Sequence, residues 1–328
     1  MTWVAILRTA IIFALMVASS PPAPAARPYE ESAKKHSWFS LSRPQKKNPS
    51  EQLVYARRLH EEGKLRKATR AYRALVVTWP GSPEAAAAQL GLARSLDERG
   101  QLQNAFDAYH TLATRYTAGY DYDKVIQRQF DIACTLMEKR RGGFLIFPGF
   151  EAPERAIPYF EKVIQNAPRA PFAAEAQFRI GWAYERSEQL ELAVVAYLTA
   201  QNRYPDSPWA EKAALGRMRA LVRLSEESPN DEEALDQAWA AVVFFLNTYP
   251  NSQDAELARA HRDNLLRRRA KMAYEKAVFY DRVVRRPEAA KQAYENFIRQ
   301  FPNSEWASIA KIRVEVLSNR VGPSDEKN

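Results

Sequence analysis

The sequence predicts an all-α protein, a superhelical solenoid of about five to six helix pairs. Three observations predict this fold: glycine is scarce, with 11 residues among 328; amphipathic helical stretches follow one another from Pro49 onward; and one spacing of small, bulky and proline residues recurs. A chain poor in glycine and rich in alanine, leucine, arginine and glutamate favours helix over sheet. Because 46% of the residues are hydrophobic, the chain is able to bury a sizeable core.

The recurring frame has a small residue, a bulky apolar residue four positions later and a proline eight positions after that. It is found at Ala68/Tyr72/Pro80, Ala156/Phe160/Pro168, Ala193/Tyr197/Pro205, Ala238/Val242/Pro250 and Ala290/Tyr294/Pro302. A sixth copy, Ala105/Tyr109, has Thr117 in place of the proline. The small residue lets two helices approach, the residue four along lies on the same face, and the proline ends the helix. We therefore expect each frame to lie on the second helix of a pair.

The first helices of three pairs carry a stripe of a large residue, a small residue and a second large residue. The stripes are Tyr55/Ala56/Leu59, Leu92/Ala93/Leu96 and Ile180/Gly181/Tyr184. Together with the frame, this is the consensus spacing of the tetratricopeptide repeat. Ser, Asp or Asn follows most of the prolines, and we expect these residues to cap the next helix. The sequence therefore predicts a tetratricopeptide-like solenoid over residues 49–320, followed by a polar tail over 321–328.

The N-terminal residues predict export. Residues 1–26 carry a single positive charge, a short apolar run and a small, proline-rich end, the layout of a secretory signal peptide; an uncleaved anchor is the alternative. Residues 27–48 are polar and basic, and we expect a flexible tether. The single cysteine, Cys134, is remote from the cleavage site, so lipid attachment there is not expected. We interpret Cys134 as a buried small apolar residue, with a reactive thiol as the alternative.

Residues 142–150 interrupt the helical pattern between Ala105 and Ala156. They contain three glycines and a proline together with large apolar residues, among them Phe144, Phe147 and Phe150. A loop this apolar must pack against something. We expect it either to fold back into the solenoid groove or to contact a partner or a membrane surface, which makes the three phenylalanines candidate binding residues.

The net charge of +9 is concentrated in two stretches. Residues 27–47 hold six Lys/Arg and two Glu, and residues 262–286 hold nine Lys/Arg and three acids. Within the second stretch, the candidate partner-binding residues are Arg267, Arg268, Arg269, Arg285 and Arg286. They predict a docking surface for an acidic partner or a face towards anionic lipid headgroups, with a solvated helix face as the plain alternative. The basic residues do not interleave with aromatics as in a nucleic-acid module, so no nucleic acid is expected.

No catalytic, cofactor or metal motif is recognisable. The four histidines are widely separated, the Arg141-Gly142-Gly143 run lacks the rest of a phosphate loop, and no nucleophile elbow occurs. We therefore expect no enzyme activity, no cofactor and no metal. A missed enzyme or transport component would reveal itself as a buried cluster of perturbed ionisable groups.

The junctions Tyr204–Ser207 and Tyr249–Ser252, echoed by Phe301–Ser304, and the stretch Arg268–Pro302 resemble the outer-membrane assembly factor BamD family. The resemblance covers roughly Pro49–Leu317. It implies a scaffold on the periplasmic face of the outer membrane that takes part in assembling outer-membrane β-barrel proteins. Its implied partners are the periplasmic domains of the β-barrel assembly protein, docked by the C-terminal repeats, and unfolded outer-membrane proteins.

This chain departs from that family because it has no cysteine for lipid attachment at its N-terminus. The resemblance therefore implies a non-lipidated variant, in the periplasm or in peripheral association with the outer membrane. The alternative hypothesis is an exported repeat adaptor of the cell-wall or division machinery, because a repeat array supplies a binding surface suited to either role.

Overall fold

A computed structural model describes residues 43–139 and 152–320. Within these residues the chain forms thirteen α-helices, a 3-10 turn (Pro153–Ala156) and a π-helical turn (Tyr280–Val284), and no strand. The helices are α1 (Pro49–Glu61), α2 (Leu65–Thr78), α3 (Ala85–Glu98), α4 (Leu102–Arg115), α5 (Tyr122–Glu138), α6 (Ile157–Asn166), α7 (Ala173–Arg186), α8 (Leu190–Arg203), α9 (Pro208–Glu227), α10 (Glu232–Thr248), α11 (Ala255–Phe279), α12 (Pro287–Gln300) and α13 (Ala307–Arg320). The predicted all-α class is confirmed.

The helices pack as consecutive pairs, α1/α2 through α11/α12, and α13 follows the sixth pair. Every frame predicted from the sequence lies on a second helix or at its start. The six frame alanines are completely buried: Ala68, Ala105, Ala156, Ala193, Ala238 and Ala290. Their bulky partners are buried as well, because each fills the space that the alanine of the same face leaves beside it. The prediction of about five to six helix pairs is therefore confirmed.

Two pairs of neighbouring first helices, α1 with α3 and α7 with α9, contact each other directly. This contact is more extensive than the contact between the second helices α4 and α6. Where α7 meets α9, the array is therefore tighter on the side of its first helices, and we call this the inner side. The turns from first to second helices lie along one edge of the solenoid, and the turns back lie along the opposite edge.

The second helices end at the predicted prolines, but only some of the next helices have the predicted side-chain cap. Ser207 caps α9, its hydroxyl accepting from the Trp209 amide at 3.1 Å. Before α11, the Ser252 hydroxyl accepts in the same way from the Asp254 amide at 3.2 Å, but before α3 and α13 the expected side-chain caps were wrong. A backbone turn takes their place: the carbonyls of Ser82 and Ser304 accept from amides three residues later, and the helix begins there. This turn satisfies the first amide without a side chain.

Tyr197 joins two helix pairs. Its ring is fully buried between Gly181 of α7 and Gly216 of α9. A Cβ atom at either glycine would lie within about 2.5 Å of the ring, closer than non-bonded carbon atoms approach. Both glycines are therefore required by the close approach of the two first helices to this tyrosine.

Three buried glutamines repeat in step with the frame. Gln52, Gln89 and Gln177 donate through Nε2 to backbone carbonyl oxygens of the second helix of their own pair, each nineteen residues along, at 3.0, 2.7 and 3.4 Å. A buried amide needs such a partner because leaving it unpaired costs free energy. These bonds fix the register of the two helices within each pair.

Several predicted segments lie outside the described residues: the signal peptide 1–26, most of the tether 27–48, the insert 142–150 with Phe144, Phe147 and Phe150, and the tail 321–328. Of the tether, residues 43–48 are described, and the amides of Gln45 and Lys46 donate to Gln52 Oε1 at 2.9 and 3.0 Å. None of the helices within residues 43–139 and 152–320 combines the length and apolar character needed to span a membrane.

Candidate partner-binding surfaces

Three clusters of a tyrosine, a carboxylate and an arginine tie neighbouring repeats together. The tyrosine comes from a second helix, the carboxylate from the end of the preceding first helix, and the arginine from the next first helix. The clusters are Tyr109/Asp97/Arg128, Tyr197/Glu185/Arg219 and Tyr294/Asp281/Arg313. The sequence analysis missed them, although an acid twelve or thirteen positions before the frame tyrosine is a readable signal.

In each cluster the guanidinium group donates to both carboxylate oxygens. The two distances are 2.7 and 2.8 Å for Arg128, 3.2 and 3.2 Å for Arg219, and 2.6 and 2.7 Å for Arg313. The tyrosine hydroxyl donates to the same carboxylate. Such bidentate, charge-assisted pairs are stronger than neutral hydrogen bonds and fix orientation, so they set the angle between successive repeats.

Several groups in these clusters have pKa values shifted away from neutral pH. Arg313 holds the pKa of the Asp281 carboxyl below its usual range, and burial raises the pKa of Tyr109 and of Tyr294 to about 12. Burial raises the pKa of Tyr197 as well. Because a general acid or base works best with a pKa near the operating pH, the clusters are structural ties between repeats.

At the first junction a histidine replaces the carboxylate. His60 lies twelve positions before Tyr72, with its Nδ1 2.9 Å from Ser95 Oγ and its Nε2 3.0 Å from Glu98 Oε1 on α3. Its ring meets the Tyr72 ring edge-on at 6.3 Å. The position therefore keeps its role of joining one repeat to the next, with the acid now supplied by the following helix.

Cys134 and His110 are both partly buried. Burial raises the pKa of the Cys134 thiol to about 11, which disfavours the reactive thiolate at neutral pH. Burial lowers the pKa of His110, whose Nδ1 lies 3.1 Å from the Asn166 amide nitrogen. In the part of the chain that the structure describes, no group of three or more His, Cys, Asp or Glu could hold a metal ion.

The arginine run Arg267–Arg269 is divided by helix periodicity onto different faces of α11. Arg268 lies between α9 and α11, where Nη1 donates to Ser225 Oγ at 2.9 Å and Nη2 donates to the Ser225 carbonyl. Arg269 pairs with Asp236 of α10 at 3.1 Å. Arg267 is exposed, and no described residue forms a hydrogen bond or ion pair with it. Two of the three candidate arginines are thus engaged within the fold.

A groove runs between α10 and α12, with α11 as its floor; we call it the C-terminal groove. Its volume is about 490 Å³. Beneath it lie the apolar side chains of Leu235, Met272 and Phe297, of which Leu235 and Phe297 are buried. One wall carries the ion pairs Arg269–Asp236 and Lys276–Glu232, the second at 3.9 Å. The other wall carries the exposed amides Gln292, Asn296 and Gln300 of α12, one helical turn apart. An apolar floor with a polar rim is the usual anatomy of a protein-binding surface.

Arg267 lines a second cavity beside this groove. The cavity, of about 780 Å³, lies between α11 and the turn that precedes α13, and Leu266, Phe301 and Trp306 also line it. Leu266 is exposed, so the cavity has an apolar wall beside the unpaired Arg267 charge. It lengthens the surface that a partner of the C-terminal helices meets.

Arg285 and Arg286 belong to the corner between α11 and α12, which we call the Arg corner and define as residues 279–287. Both arginines are exposed, as are Phe279, Val283 and Val284. The chain turns through the π-helical segment Tyr280–Val284 and reverses at Arg285, which has a left-handed backbone with φ of 55°. The structure thus places these two predicted residues on one exposed turn, apart from Arg267–Arg269.

The inner side carries an aromatic patch that the sequence analysis did not single out. The rings of Phe178 and Trp209 lie 5.1 Å apart, and Lys212 Nζ lies 4.0 Å from the Trp209 ring centroid. Trp182, one helical turn from Phe178, lies beneath the Arg186 guanidinium at 5.7 Å. All three aromatic side chains are partly exposed. Amphipathic aromatic side chains of this kind often anchor protein interfaces.

Comparison with known families agrees with the repeat architecture. A tetratricopeptide repeat model matches residues 56–119 and 151–208, which include most of α1–α4 and α6–α8. The chain is a tetratricopeptide-repeat solenoid. A second model, YfiO, described as an outer membrane lipoprotein, matches residues 185–325, which contain the C-terminal groove and the Arg corner. Its repeats make the protein a scaffold for protein–protein interaction.

Solved structures with a similar helical arrangement share little sequence with this chain. A tetratricopeptide repeat protein from Parabacteroides merdae is 16% identical, with 82% of this chain and 98% of that chain covered and a TM-score of 0.30. The C-terminal part of a repeat protein from Cytophaga hutchinsonii is 17% identical, with 81% and 88% covered and a TM-score of 0.33. YrrB, a repeat protein with an unusual peptide-binding site, is 15% identical, with 64% and 90% covered and a TM-score of 0.30. No curated protein matches the chain.

Proposed function

We propose that this protein is an exported scaffold on the periplasmic face of the outer membrane that takes part in assembling outer-membrane β-barrel proteins. The observation that carries the proposal is the match of residues 185–325 to the YfiO outer membrane lipoprotein model. That match falls on the part of the chain whose surface is built for docking. The resemblance of the Tyr-Pro-Asp/Asn-Ser junctions to the BamD family supports the same function.

The C-terminal groove is the docking site in this proposal. Its Arg269–Asp236 and Lys276–Glu232 pairs place both signs of charge side by side on one wall. Charges of both signs on one surface favour a partner with the complementary pattern. The periplasmic domains of a β-barrel assembly protein are the partner that the resemblance implies, and they would lie across α10, α11 and α12.

The inner aromatic patch is the second binding surface. Phe178, Trp182 and Trp209 offer apolar area on the inner side, where an extended chain fits along successive first helices. In this proposal, unfolded outer-membrane proteins contact the patch while the assembly protein occupies the C-terminal groove. The two surfaces lie on different helices, so both can be occupied together.

A crosslinked pull-down of the tagged protein from envelope membranes tests the proposal. The expected result is that a β-barrel assembly protein is the main captured partner and that depletion lowers many outer-membrane proteins together. Capture of cell-wall or division proteins alone, with outer-membrane proteins unchanged, would contradict it and favour the adaptor role. Sequencing the N-terminus of the captured protein tests whether residues 1–26 are removed as a signal peptide or kept as an anchor.

A further inference from the structure

The Arg corner combines exposed cations with exposed apolar side chains. Phe279, Val283 and Val284 are 51%, 66% and 37% exposed. Exposed large apolar residues are common singly, but a group of them on one turn signals a contact surface. Arg282, Arg285 and Arg286 lie between and beside them on the same turn and are exposed.

None of these three guanidinium groups forms a hydrogen bond or ion pair with another residue that the structure describes. The acid within the corner, Asp281, is turned inward: its side chain is 6% exposed and accepts both hydrogen bonds from Arg313. The first turn of α12 adds one exposed acid, Glu288. The exposed charges of residues 279–288 are therefore three positive and one negative.

The corner projects from the edge of the solenoid. Helix α11 has 25 residues and α9 has 20, a difference of about 7 Å at 1.5 Å per residue. Lys276 pairs with Glu232 at the acidic turn between α9 and α10, and the corner begins beyond this ion pair. A large object that approaches this end of α11 therefore meets the Arg corner before the acidic turn.

We propose that the Arg corner binds the surface of an anionic phospholipid bilayer. The arginines would pair with lipid phosphates, while Phe279 and Val283 enter the boundary between headgroups and acyl chains. A projecting turn of nine residues suits a membrane surface better than an acidic protein, because a specific protein interface uses about 20–30 residues on each side. The inference goes beyond the proposed function and does not depend on it.

Vesicle co-sedimentation of the full chain tests this binding. Vesicles of phosphatidylethanolamine with phosphatidylglycerol are compared with vesicles of phosphatidylcholine alone. The expected result is binding to the anionic vesicles that falls as salt is raised. The triple variant Arg282→Gln, Arg285→Gln, Arg286→Gln should weaken this binding at least about tenfold, because each arginine near an anionic surface contributes.

A matched control removes three arginines from the opposite edge of the solenoid. Arg115, Arg203 and Arg299 lie in the last turns of α4, α8 and α12, and all are exposed. Changing these three to glutamine removes the same charge and should alter vesicle binding by less than about twofold. Equal losses in both triple variants would overturn the proposal, because the effect would then come from net charge alone.

A fluorescent label locates the contact directly. A polarity-sensitive dye on Val283→Cys should shift to shorter wavelength on anionic vesicles, and the same dye on Val195→Cys of α8 should not. Val195 is 61% exposed, close to the exposure of Val283, and both labels are placed in a Cys134→Ser background because Cys134 is the single cysteine of the sequence. No shift at Val283→Cys, or a shift only when an acidic protein is added, would overturn the proposal even if the vesicles bind.

Discussion

The N-terminal and C-terminal parts of the solenoid differ in how they bury their apolar surface. One continuous core extends from α1 to α7 with Ala196 of α8, and it includes Phe106, Phe130 and Phe160. From α8 onward the core divides into smaller clusters around Tyr197, Phe245 and Phe297. The buried apolar surface is thus continuous in the N-terminal part and divided in the C-terminal part.

Exposed large apolar side chains are more numerous in the C-terminal part. Among the described residues of α1–α8, they are Val54, Val77, Tyr122, Leu192, Val195 and Leu198. From α10 to α13 they are Phe244, Leu257, Leu266, Phe279, Val283, Val284, Ile309, Ile312 and Val316. Apolar surface that is left uncovered marks binding sites. In our proposal, the N-terminal helices therefore act mainly as a framework, and the main docking surface lies on the C-terminal helices.

Removing the Tyr197 ring, which joins α7 to α9, should have the largest effect on the free energy of unfolding. Tyr197→Ala removes a fully buried ring between α7 and α9, and we expect a loss of about 3–5 kcal/mol in the free energy of unfolding. Urea denaturation measures this loss. Val195→Ala on the exposed side of the same helix is the control and should change stability by less than about 0.5 kcal/mol. A loss below about 1 kcal/mol for Tyr197→Ala would show that the joint is not tightly packed.

Disrupting a tyrosine–carboxylate–arginine cluster should change unfolding differently in the N-terminal and in the C-terminal part. Asp97→Asn and Asp281→Asn each remove one carboxylate from a bidentate arginine, with an expected cost of about 1.5–3 kcal/mol. In the small C-terminal core this cost should unfold α12 and α13 locally, whereas Asp97→Asn should lower the stability of the whole N-terminal core. Hydrogen exchange resolved by segment measures both. Faster exchange confined to the region around Asp97 would contradict the contrast.

The C-terminal helices should also loosen first in acid. Because Arg313 lowers the pKa of Asp281, this pair stabilises the fold fully above the unfolded pKa of about 4. The stability is lost as pH falls from there through the lowered folded pKa. Segment-resolved hydrogen exchange should show α13 opening in this range, and Asp281→Asn should remove the pH dependence. An unchanged pH dependence in Asp281→Asn would assign the effect to other acids.

Much of this framework could be predicted from the sequence, because helix pairing depends on short-range spacing. The alanines of the frame, among them Ala68 and Ala290, identified the second helices and their buried faces. The missing caps at Ser82 and Ser304 could not be predicted, because a backbone turn and a side-chain-capped helix start have the same residue types. Arg268 and Arg269 are bound within the fold by Ser225 and Asp236. Because these partners are remote in sequence, no local pattern distinguishes Arg268 and Arg269 from the unpaired Arg267.

A substitution in the C-terminal groove should weaken partner binding, whereas a substitution at the equivalent position of α8 should not. Asn296 lies six positions after the frame alanine of α12, and Thr199 lies six positions after that of α8; both are exposed. Asn296→Arg should weaken binding of the partner at least about tenfold through bulk and unpaired charge, and Thr199→Arg should leave it unchanged. Isothermal titration with the purified partner domain measures both variants. Equal affinities of the two variants for the partner would show that the docking site lies elsewhere.

The smallest expected effect concerns a turn of the framework. Glu188 has φ of 59° at the position where the first two repeats have Gly63 and Gly100, both with φ of 68°. Glycine adopts this backbone without strain, so Glu188→Gly should raise the free energy of unfolding by about 0.5 kcal/mol after the loss of the exposed pair with Arg223. Thermal denaturation measures the shift, and a decrease in stability would show that the ion pair outweighs the strain.

Photo-crosslinking within cells tests the division into framework and docking surface most directly. A photoreactive amino acid is placed at Gln292 in the C-terminal groove and, in a separate strain, at Val195, two positions after their respective frame alanines and both exposed. The account predicts that Gln292 crosslinks to a periplasmic domain of a β-barrel assembly protein and that Val195 does not. Crosslinks of that protein to Val195 but not to Gln292 would contradict the account.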